Sequence, residues 1–311
     1  MTGFYILVAV FDSTIMQNTS RQIAPGNSDS SLDAVALAKQ FLQESTRKNY
    51  MWLPDSVRQL AKNDLPEDRT VHGVFTKLLD GFTLDGAPLS IPPSIANLYG
   101  RELERIRSVI DSGDESLLRF DLDVRQKDLA ILTFRLIPVG AEFAEPWSAI
   151  WRRRVLTARA SQFYRAGKFF ILGRNGFWPY FQLHMHQESH DDFNEAGWME
   201  TYMRLAELLE CNPGHRGWFS CSWLVDPALE QISPHLSYLR SVPESNGGAI
   251  FYMQDDPEGK TGALAKSRTR RRLFEEGRYH PRIYLRVWPR SPAVDWWKSC
   301  TNKNMTDSRP L

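Results

Sequence analysis

The feature that most constrains the fold of this 311-residue chain is a change of hydrophobic period along it. In the first third, apolar residues recur at helical spacing, which is typical of amphipathic helices. From about Leu117 onward, short apolar runs of strand length alternate with helical stretches. This alternation predicts an α/β (α+β) fold, with a helical N-terminal region followed by a mixed, mainly antiparallel sheet flanked by helices. We expect residues 1–115 to form the helical region and residues 116–311 to form an α/β domain that carries the functional site.

Capping residues, Gly and Pro divide these two parts into elements. In the first part, helices are predicted to begin near Ser31, Pro54, Asp68 and Ser94, after a polar loop over residues 17–30. In the second part, helices are predicted over 149–165, 193–210 and 267–276, with another starting at Asp226. Strands are predicted over 129–136, 169–172, 179–186, 218–225, 249–253 and 282–288. The second and third of these strands are joined by a Gly-containing turn, which predicts a hairpin.

Charge and cysteine content narrow the class of protein. Lys and Arg (38) almost cancel Asp and Glu (37), so the chain has no global basic footprint and a nucleic-acid partner is not expected. Three cysteines cannot form a disulfide framework in so long a chain, which favours a reducing, cytoplasmic location. The longest apolar run, residues 4–11, is too short to span a membrane and follows no basic segment. Neither a transmembrane segment nor a secretory signal is therefore expected. One local exception is the Arg-rich stretch over 149–165, which is compatible with an anionic membrane or a nucleic acid.

The segment over 179–186, PYFQLHMH, contains the strongest candidates for a functional site. In an extended strand, side chains alternate between the two faces of the sheet. One face then carries apolar side chains that suit a core, and the other carries hydrogen-bonding side chains that include Tyr180, His184 and His186. Imidazole changes its charge near neutral pH, so we expect His184 or His186 to act as a general base. Tyr180, or Ser222 from the next strand, would orient a small-molecule substrate.

The same segment leaves a second chemistry open. A His-x-His pair on one strand face places both rings on the same side of the sheet, where His184 and His186 would bind a single divalent metal ion. His190 or Glu188 would supply a third ligand. In this alternative the protein is a mononuclear metal-dependent enzyme.

The order of predicted elements across residues 169–290 is a hairpin followed by strand, helix, strand, helix and strand, and it resembles the layout of the GNAT acyltransferase superfamily. The resemblance covers the C-terminal half of the chain and depends on layout, without a diagnostic motif. It implies a bent mixed sheet that binds acyl-CoA and an acyl transfer to a small amine- or hydroxyl-bearing substrate. Four guanidinium groups near the start of a predicted helix would hold a phosphate of the donor by paired hydrogen bonds. They belong to Arg268, Arg270, Arg271 and Arg272.

A third interpretation rests on the aromatic content. The chain has ten tryptophans, nine of them between Trp147 and Trp297. Most are expected in the core, but a subset could line a pocket for a flat or long apolar ligand. The protein would then be a non-catalytic small-ligand-binding protein. The sequence leaves all three functions open.

Overall fold

A computed structural model describes residues 34–60, 67–114, 119–188, 191–259, 261–265 and 267–307. The helices are α1 (Ala34–Glu44), α2 (Asp55–Leu60), α3 (Glu67–Asp80), α4 (Pro93–Asp111), α5 (Asp123–Leu132), α6 (Arg152–Thr157), α7 (Ala160–Gly167), α8 (Glu195–Cys211), α9 (Leu229–Ile232), α10 (Tyr238–Ser245), α11 (Arg268–Glu275) and α12 (Arg290–Asp307). The strands are β1 (Ile137–Pro138), β2 (Phe143–Ser148), β3 (Tyr180–His184), β4 (Gly217–Ser222), β5 (Ala249–Asp255) and β6 (Arg282–Pro289). The loop predicted over 17–30 and the helix start predicted at Ser31 lie outside the described residues.

These strands form one mixed sheet in the order β1-β2-β3-β4-β6-β5. β3 and β4 are parallel, as expected for strands joined through a helix, here α8. The other neighbouring pairs are antiparallel. The predicted α/β class, with a mixed and mainly antiparallel sheet flanked by helices, is therefore confirmed.

Buried aromatic side chains join α8 to the sheet. Trp198 and Tyr202 of α8 pack with Trp218 of β4 and Trp288 of β6, and none of the four is more than 1% exposed. The guanidinium of Arg286 lies among them and donates a hydrogen bond to the Tyr202 hydroxyl at 2.9 Å. Its carbon lies 4.7 Å from the centre of the Trp198 ring. A buried cation needs such partners, so this cluster fixes α8 over the centre of the sheet.

The N-terminal helices pack onto the same core. Phe41 of α1, Phe75 of α3 and Tyr99 of α4 belong to one apolar cluster that also contains Phe181 of β3 and Trp218 of β4. The predicted boundary at residue 115 falls within residues 115–118, which lie outside the described residues. The division into two domains therefore stays a prediction.

Three predicted elements are wrong. The apolar run over 129–136 is largely the buried end of helix α5, because such a run suits a buried helix as well as a buried strand and the helix begins upstream at Asp123. Residues 169–172 belong to a π-helical turn, so the predicted hairpin does not form and β3 pairs with β2 instead. The helix over 149–165 is divided into α6 and α7, because Arg159 has an extended backbone between them.

Candidate functional site

Strand β3 positions the predicted site residues. It lies between β2 and β4, and its alternate side chains reach opposite faces of the sheet. Phe181 and Leu183 enter the main apolar cluster, while Tyr180 and His184 lie on the other face. The extended conformation predicted for this segment is confirmed over Tyr180–His184, and His186 follows two residues after the strand ends.

His184, the last residue of β3, is paired with a carboxylate from the neighbouring strand. Its Nε2 lies 2.6 Å from Oε2 of Glu145 on β2, and the two residues are 8% and 6% exposed. The ring of Tyr50 packs against the imidazole, with 4.6 Å between the two centroids. A buried carboxylate at this distance fixes the orientation of the ring and stabilises the imidazolium that forms when His184 accepts a proton.

Tyr50 connects this pair to a second charged group. Its hydroxyl lies 3.5 Å from Oδ1 of Asp123, and Nζ of Lys127 donates a hydrogen bond to the other oxygen of Asp123 at 2.5 Å. Burial, together with the negative charges of Asp123 and Glu145, raises the pKa of Tyr50 above its ordinary value. Tyr50 therefore remains a neutral phenol at neutral pH and covers one side of the imidazole.

His186 lies in a different environment, a network of buried charges. Its Nε2 lies 3.1 Å from Oδ1 of Asp128, and its Nδ1 accepts a hydrogen bond from the backbone N–H of Glu188 at 3.2 Å. Arg105 donates to the same oxygen of Asp128 at 2.5 Å, and Arg125 binds the other oxygen. Both ring nitrogens of His186 are engaged and the residue is fully buried. The network therefore holds the segment that follows β3 in place. It gives His186 partners that differ from those of His184.

The described residues do not assemble the metal site of the second hypothesis. Within the ranges that the structure describes, no group of three or more His, Cys, Asp or Glu side chains is placed to hold a metal ion. His184 and His186 each face a separate carboxylate, and Glu188 pairs with Arg125 and Arg105 instead. His190 lies outside the described residues, so a metal centre that includes it stays a prediction.

The hydroxyls of Tyr180 and Ser222, which were predicted to orient a substrate, form hydrogen bonds with nearby backbone groups instead. Tyr180 is fully buried and donates a hydrogen bond to the carbonyl of Asn175 at 2.9 Å, and burial raises its pKa. The hydroxyl of Ser222 accepts a hydrogen bond from the backbone N–H of Leu224 at 3.1 Å, which starts a 3₁₀ turn and ends β4 three residues earlier than predicted. These contacts give Tyr180 and Ser222 structural roles, away from the His184–Glu145 pair.

The four arginines that were predicted to hold a phosphate do not converge on one site. Arg270 is 6% exposed, donates from Nε to the carbonyl of Ala263 at 2.6 Å and donates from Nη1 to the Ser233 hydroxyl at 3.0 Å. It therefore anchors α11 to the loop before it. The side chains of Arg268, Arg271 and Arg272 are exposed around the helix.

A gap opens in the sheet where β3 and β4 separate. Their parallel pairing covers two residue pairs, Phe181 with Trp218 and the pair that follows it. β4 then continues to Ser222 while it stays paired with β6 on its other side. Cys221, two residues beyond the pairing with β3, is exposed although β4 is a central strand. We call this opening the strand gap, and His184 is the last residue of β3 at its edge.

A pocket of about 220 Å³ lies next to Glu145, since its wall includes the two residues that follow Glu145 in β2. The charged residues of its wall are Arg47, Lys48 and Arg135, and none of its lining residues is acidic. Three of the four non-glycine residues with positive φ in the described chain also line it: Arg47 (62°), Phe134 (56°) and Trp147 (65°). Backbone conformations of this kind cluster at ligand-binding sites, so the pocket is a second candidate site.

Arg135 ties the wall of this pocket to the loop after α1. Its Nη1 donates to the carbonyls of Asn49, Tyr50 and Trp52 at 3.1, 3.1 and 2.7 Å, and its Nε donates to the Thr133 hydroxyl at 2.9 Å. Its Nη2 is buried and has no hydrogen-bond partner among the described residues. Burial lowers the pKa of Arg135 to about 10, so the side chain stays positively charged at neutral pH.

Glu145, Tyr50 and Arg135 were not among the site residues predicted from the sequence. Arg135 gave a usable signal, because it is the charged residue within an otherwise apolar run, and a buried charge requires partners. Glu145 and Tyr50 gave none, because their contacts with His184 depend on strand register and on the path of a loop.

Comparisons of the chain with protein-family models, with curated proteins and with solved structures found no match. Over the described ranges, no helix combines the length and the apolar character needed to cross a membrane.

Proposed function

We propose that this chain is an acyltransferase of GNAT-like type, which transfers an acyl group from a thioester to a small amine- or hydroxyl-bearing substrate. The observation that carries the proposal is the strand gap, where one parallel pair stands among antiparallel neighbours and separates after two residue pairs. Strands that separate leave backbone N–H and C=O groups for an extended acyl-pantetheine arm to bind. His184 lies at the edge of the gap, so an arm bound there would bring its thioester carbonyl close to an imidazole.

The His184–Glu145 pair supplies the acid–base chemistry of this proposal. In the tautomer that this proposal requires, the Nε2–H of His184 donates a hydrogen bond to the Glu145 carboxylate, which leaves Nδ1 to accept the proton of the attacking amine or hydroxyl. The new C–N or C–O bond forms at the thioester carbonyl as the C–S bond breaks, and the proton then passes from His184 to the leaving thiolate. Glu145 stabilises the imidazolium between these two steps.

The charges around the start of α8 favour recognition of the acyl arm over recognition of phosphates. Asn194 caps this helix, accepting a hydrogen bond from the backbone N–H of Gly197 at 3.0 Å. Glu195 lies in the first turn after this cap, and its carboxylate opposes a pyrophosphate that a bare helix N-terminus would attract, whereas the charge of Asp192 is paired with Arg101 at 3.1 Å. We therefore propose an acyl thioester as donor, with acyl-CoA as the form to test first.

The test measures acyl transfer with two histidine variants. The protein is incubated with acyl-CoAs of several chain lengths and a panel of small amines and amino alcohols, and products are identified by mass spectrometry. His184→Gln should lower kcat by about 10²–10⁴-fold, the range for loss of a general base. His235→Gln, at an exposed position, is the control and should keep full activity. Failure to form product with any thioester at millimolar concentration, or equal activity of the two variants, would reject the proposal.

One observation favours a second function, the binding of a small organic anion. The pocket beside Glu145 has three basic side chains and no acidic one in its wall, and the aromatic rings of Phe82, Phe134 and Trp147 line part of the rest. A carboxylate or phosphate would meet Arg47 and Lys48, and an apolar body would lie against Phe82 and Phe134. This arrangement supports a ligand-binding role that does not require catalysis.

Calorimetric titration with benzoate, phenyl phosphate and neutral benzamide tests this second function. The two anions should bind and benzamide should not. The double variant Arg47→Gln/Lys48→Gln should weaken binding about tenfold or more, which corresponds to about 1.4 kcal/mol. Lys39→Gln/Arg107→Gln removes the same charge from exposed positions outside the pocket wall and serves as the control. Equal affinity of the two double variants would exclude the pocket as an anion site.

A further inference from the structure

The surface formed by residues 151–178 exposes large apolar side chains, and we call it the basic apolar face. Phe163 and Tyr164 of α7 are 60% and 76% exposed, and Ile171 and Leu172 of the following π-helical turn are 60% and 74% exposed. Six of the nine exposed large apolar residues of the described chain belong to this face. The other two members are Trp151 and Trp178. Apolar exposure on this scale in one segment marks an interaction surface.

The same segment is basic. Between residues 146 and 187 the sequence has seven Lys or Arg residues and no Asp or Glu, in a chain whose overall net charge is +1. The exposed basic side chains of the face include Arg152, Arg153, Arg159, Lys168 and Arg174. Within the described part of the chain, no acidic side chain forms an ion pair with any of these five. The face therefore carries a local positive charge that the described residues do not neutralise.

The packing of α7 keeps the apolar side chains of this face exposed to solvent. Gln162, Ala166 and Phe170 lie on the opposite side of the same helical segment and are buried. The side chain of Gln162 accepts a hydrogen bond from the backbone N–H of Tyr252 in β5 at 2.7 Å and donates one to its carbonyl at 3.0 Å. Because one side of the segment is bonded to the sheet, the exposed side cannot turn inward to bury its apolar residues.

We propose that the basic apolar face docks the protein on the surface of an anionic lipid bilayer. The apolar side chains would enter the boundary between headgroups and acyl chains, and the basic side chains would contact anionic headgroups. Trp151 and Trp178 would lie at the interface, where tryptophan is favoured.

The composition of the face favours this partner over two others. A nucleic acid would use the charge but not Ile171 and Leu172, since aliphatic side chains do not stack on bases. A symmetric contact with the same face of a second copy would bring two positively charged surfaces together, which is repulsive. The proposal uses none of the residues assigned to acyl transfer and stands independently of that function.

Vesicle sedimentation tests the proposal on the full chain. We expect binding to phosphatidylcholine vesicles that contain about 30% phosphatidylserine and little binding to pure phosphatidylcholine, with weaker binding at high salt. Ile171→Ser/Leu172→Ser should lower the partition coefficient about tenfold or more, and Arg153→Gln/Lys168→Gln should lower it for anionic vesicles.

The matched controls change similar side chains elsewhere on the surface. Leu42→Ser/Met51→Ser removes two exposed apolar residues, and Lys39→Gln/Arg107→Gln removes two exposed charges. Both controls should bind vesicles as the wild type does, and thermal unfolding should confirm that every variant is folded. The proposal is overturned if the wild type does not bind anionic vesicles, or if the apolar variant binds as its control does. Dimerisation of the wild type that the apolar variant abolishes would overturn it in favour of self-association.

Discussion

The imidazole of His184 and the carboxylate of Glu145 lie 2.6 Å apart and come from different strands. The antiparallel register of β2 and β3 pairs Phe143 with His184 and Glu145 with Gln182, so the two side chains meet on one face of the sheet across a diagonal. Pro146 interrupts the ladder just after Glu145, where the register shifts. The pair is therefore held by strand pairing, which is a rigid support for an acid–base group.

Replacing Glu145 by Gln should lower kcat for acyl transfer by about 10²–10⁴-fold with little change in KM, because the amide keeps the shape of the carboxylate but cannot stabilise an imidazolium. Steady-state kinetics across a pH series checks this, and the pH dependence of kcat should also change. Glu104→Gln, at an exposed position, is the control. If the variant kept its kcat and lost only thermal stability, Glu145 would have a purely structural role.

Local sequence signals were enough for β3 and α11 but not for β2, the strand that carries Glu145. The alternation around Phe181 and Leu183 identified β3, and Ser267 predicted the start of α11, where its hydroxyl accepts a hydrogen bond from the backbone N–H of Arg270 at 3.2 Å. Such signals act over a few residues, so one sequence contains them in full.

The side-chain contacts of the site could not be predicted from such local signals. Asp128, the partner of His186, was not recognised because the run over 129–136 was interpreted as a strand, with Asp128 as its boundary. The pairing of His184 with Glu145 depends on register between strands separated by two helices. Residues that meet through tertiary packing leave no pattern at fixed spacing in the sequence. The separate partners of His184 and His186 could therefore not be predicted, and the two histidines were expected to share one site.

Asp128→Asn should lower the free energy of unfolding by up to roughly 3–5 kcal/mol at neutral pH, because it removes the buried carboxylate charge that Arg105 and Arg125 share and leaves only Glu102 and Glu188 to pair with them. Burial by itself would raise the pKa of Asp128, but hydrogen bonds from His186 and Arg105 and their charges outweigh this and lower it. A depressed folded-state pKa gives stability that is present above the ordinary Asp pKa of about 4 and is lost as the pH falls below it.

Urea unfolding at neutral pH and below pH ~4 measures this loss. The difference between wild type and Asp128→Asn should shrink in acid. Asp121→Asn, which removes an exposed partner of Arg119, should cost less than about 1 kcal/mol. If the free energy of unfolding of Asp128→Asn were below that of the wild type by the same amount at both pH values, the charge of Asp128 would not be what stabilises the fold.

His215 should make the protein less stable in mild acid. Its ring is 2% exposed and stacks on Phe181, with 4.1 Å between centroids, and burial lowers its pKa to about 4. Between pH ~6.5 and ~4 the unfolded chain then binds a proton that the folded chain does not, so stability falls as the pH falls through this window. The loss amounts to about 3.5 kcal/mol at most, since one pKa unit corresponds to about 1.4 kcal/mol.

Chemical unfolding of wild type and His215→Phe at pH ~7.5 and ~5 isolates this effect. The phenyl ring keeps the stacking on Phe181 but does not titrate, so the variant should lose less stability between the two pH values than the wild type does. His280→Phe, at an exposed position, is the matched control and should retain the wild-type dependence. An identical pH dependence of His215→Phe and the wild type would mean that other groups cause the acid sensitivity.

Arg135→Gln should destabilise the fold by several kcal/mol, because one guanidinium serves three backbone carbonyls of residues 49–52 and the hydroxyl of Thr133. Without it, buried acceptors lose their donor, and each such loss costs about 1–3 kcal/mol. Tyr50 belongs to this loop and covers His184, so the same change should lower kcat as well as stability. Arg135→Lys should lie between the wild type and Arg135→Gln, since an ammonium can donate to some of the carbonyls but cannot reproduce the planar fork.

Urea unfolding and steady-state kinetics on the three proteins test this order. Arg278→Gln is the comparison, because Arg278 is an exposed residue whose ion pair with Glu276 at 2.9 Å should contribute less than about 1 kcal/mol. Proteolysis within residues 45–52 should accelerate in Arg135→Gln if the loop opens locally, since cleavage follows local opening. If Arg135→Gln were as stable as Arg278→Gln, the loop that covers His184 would be held by its apolar contacts and not by the hydrogen bonds of Arg135.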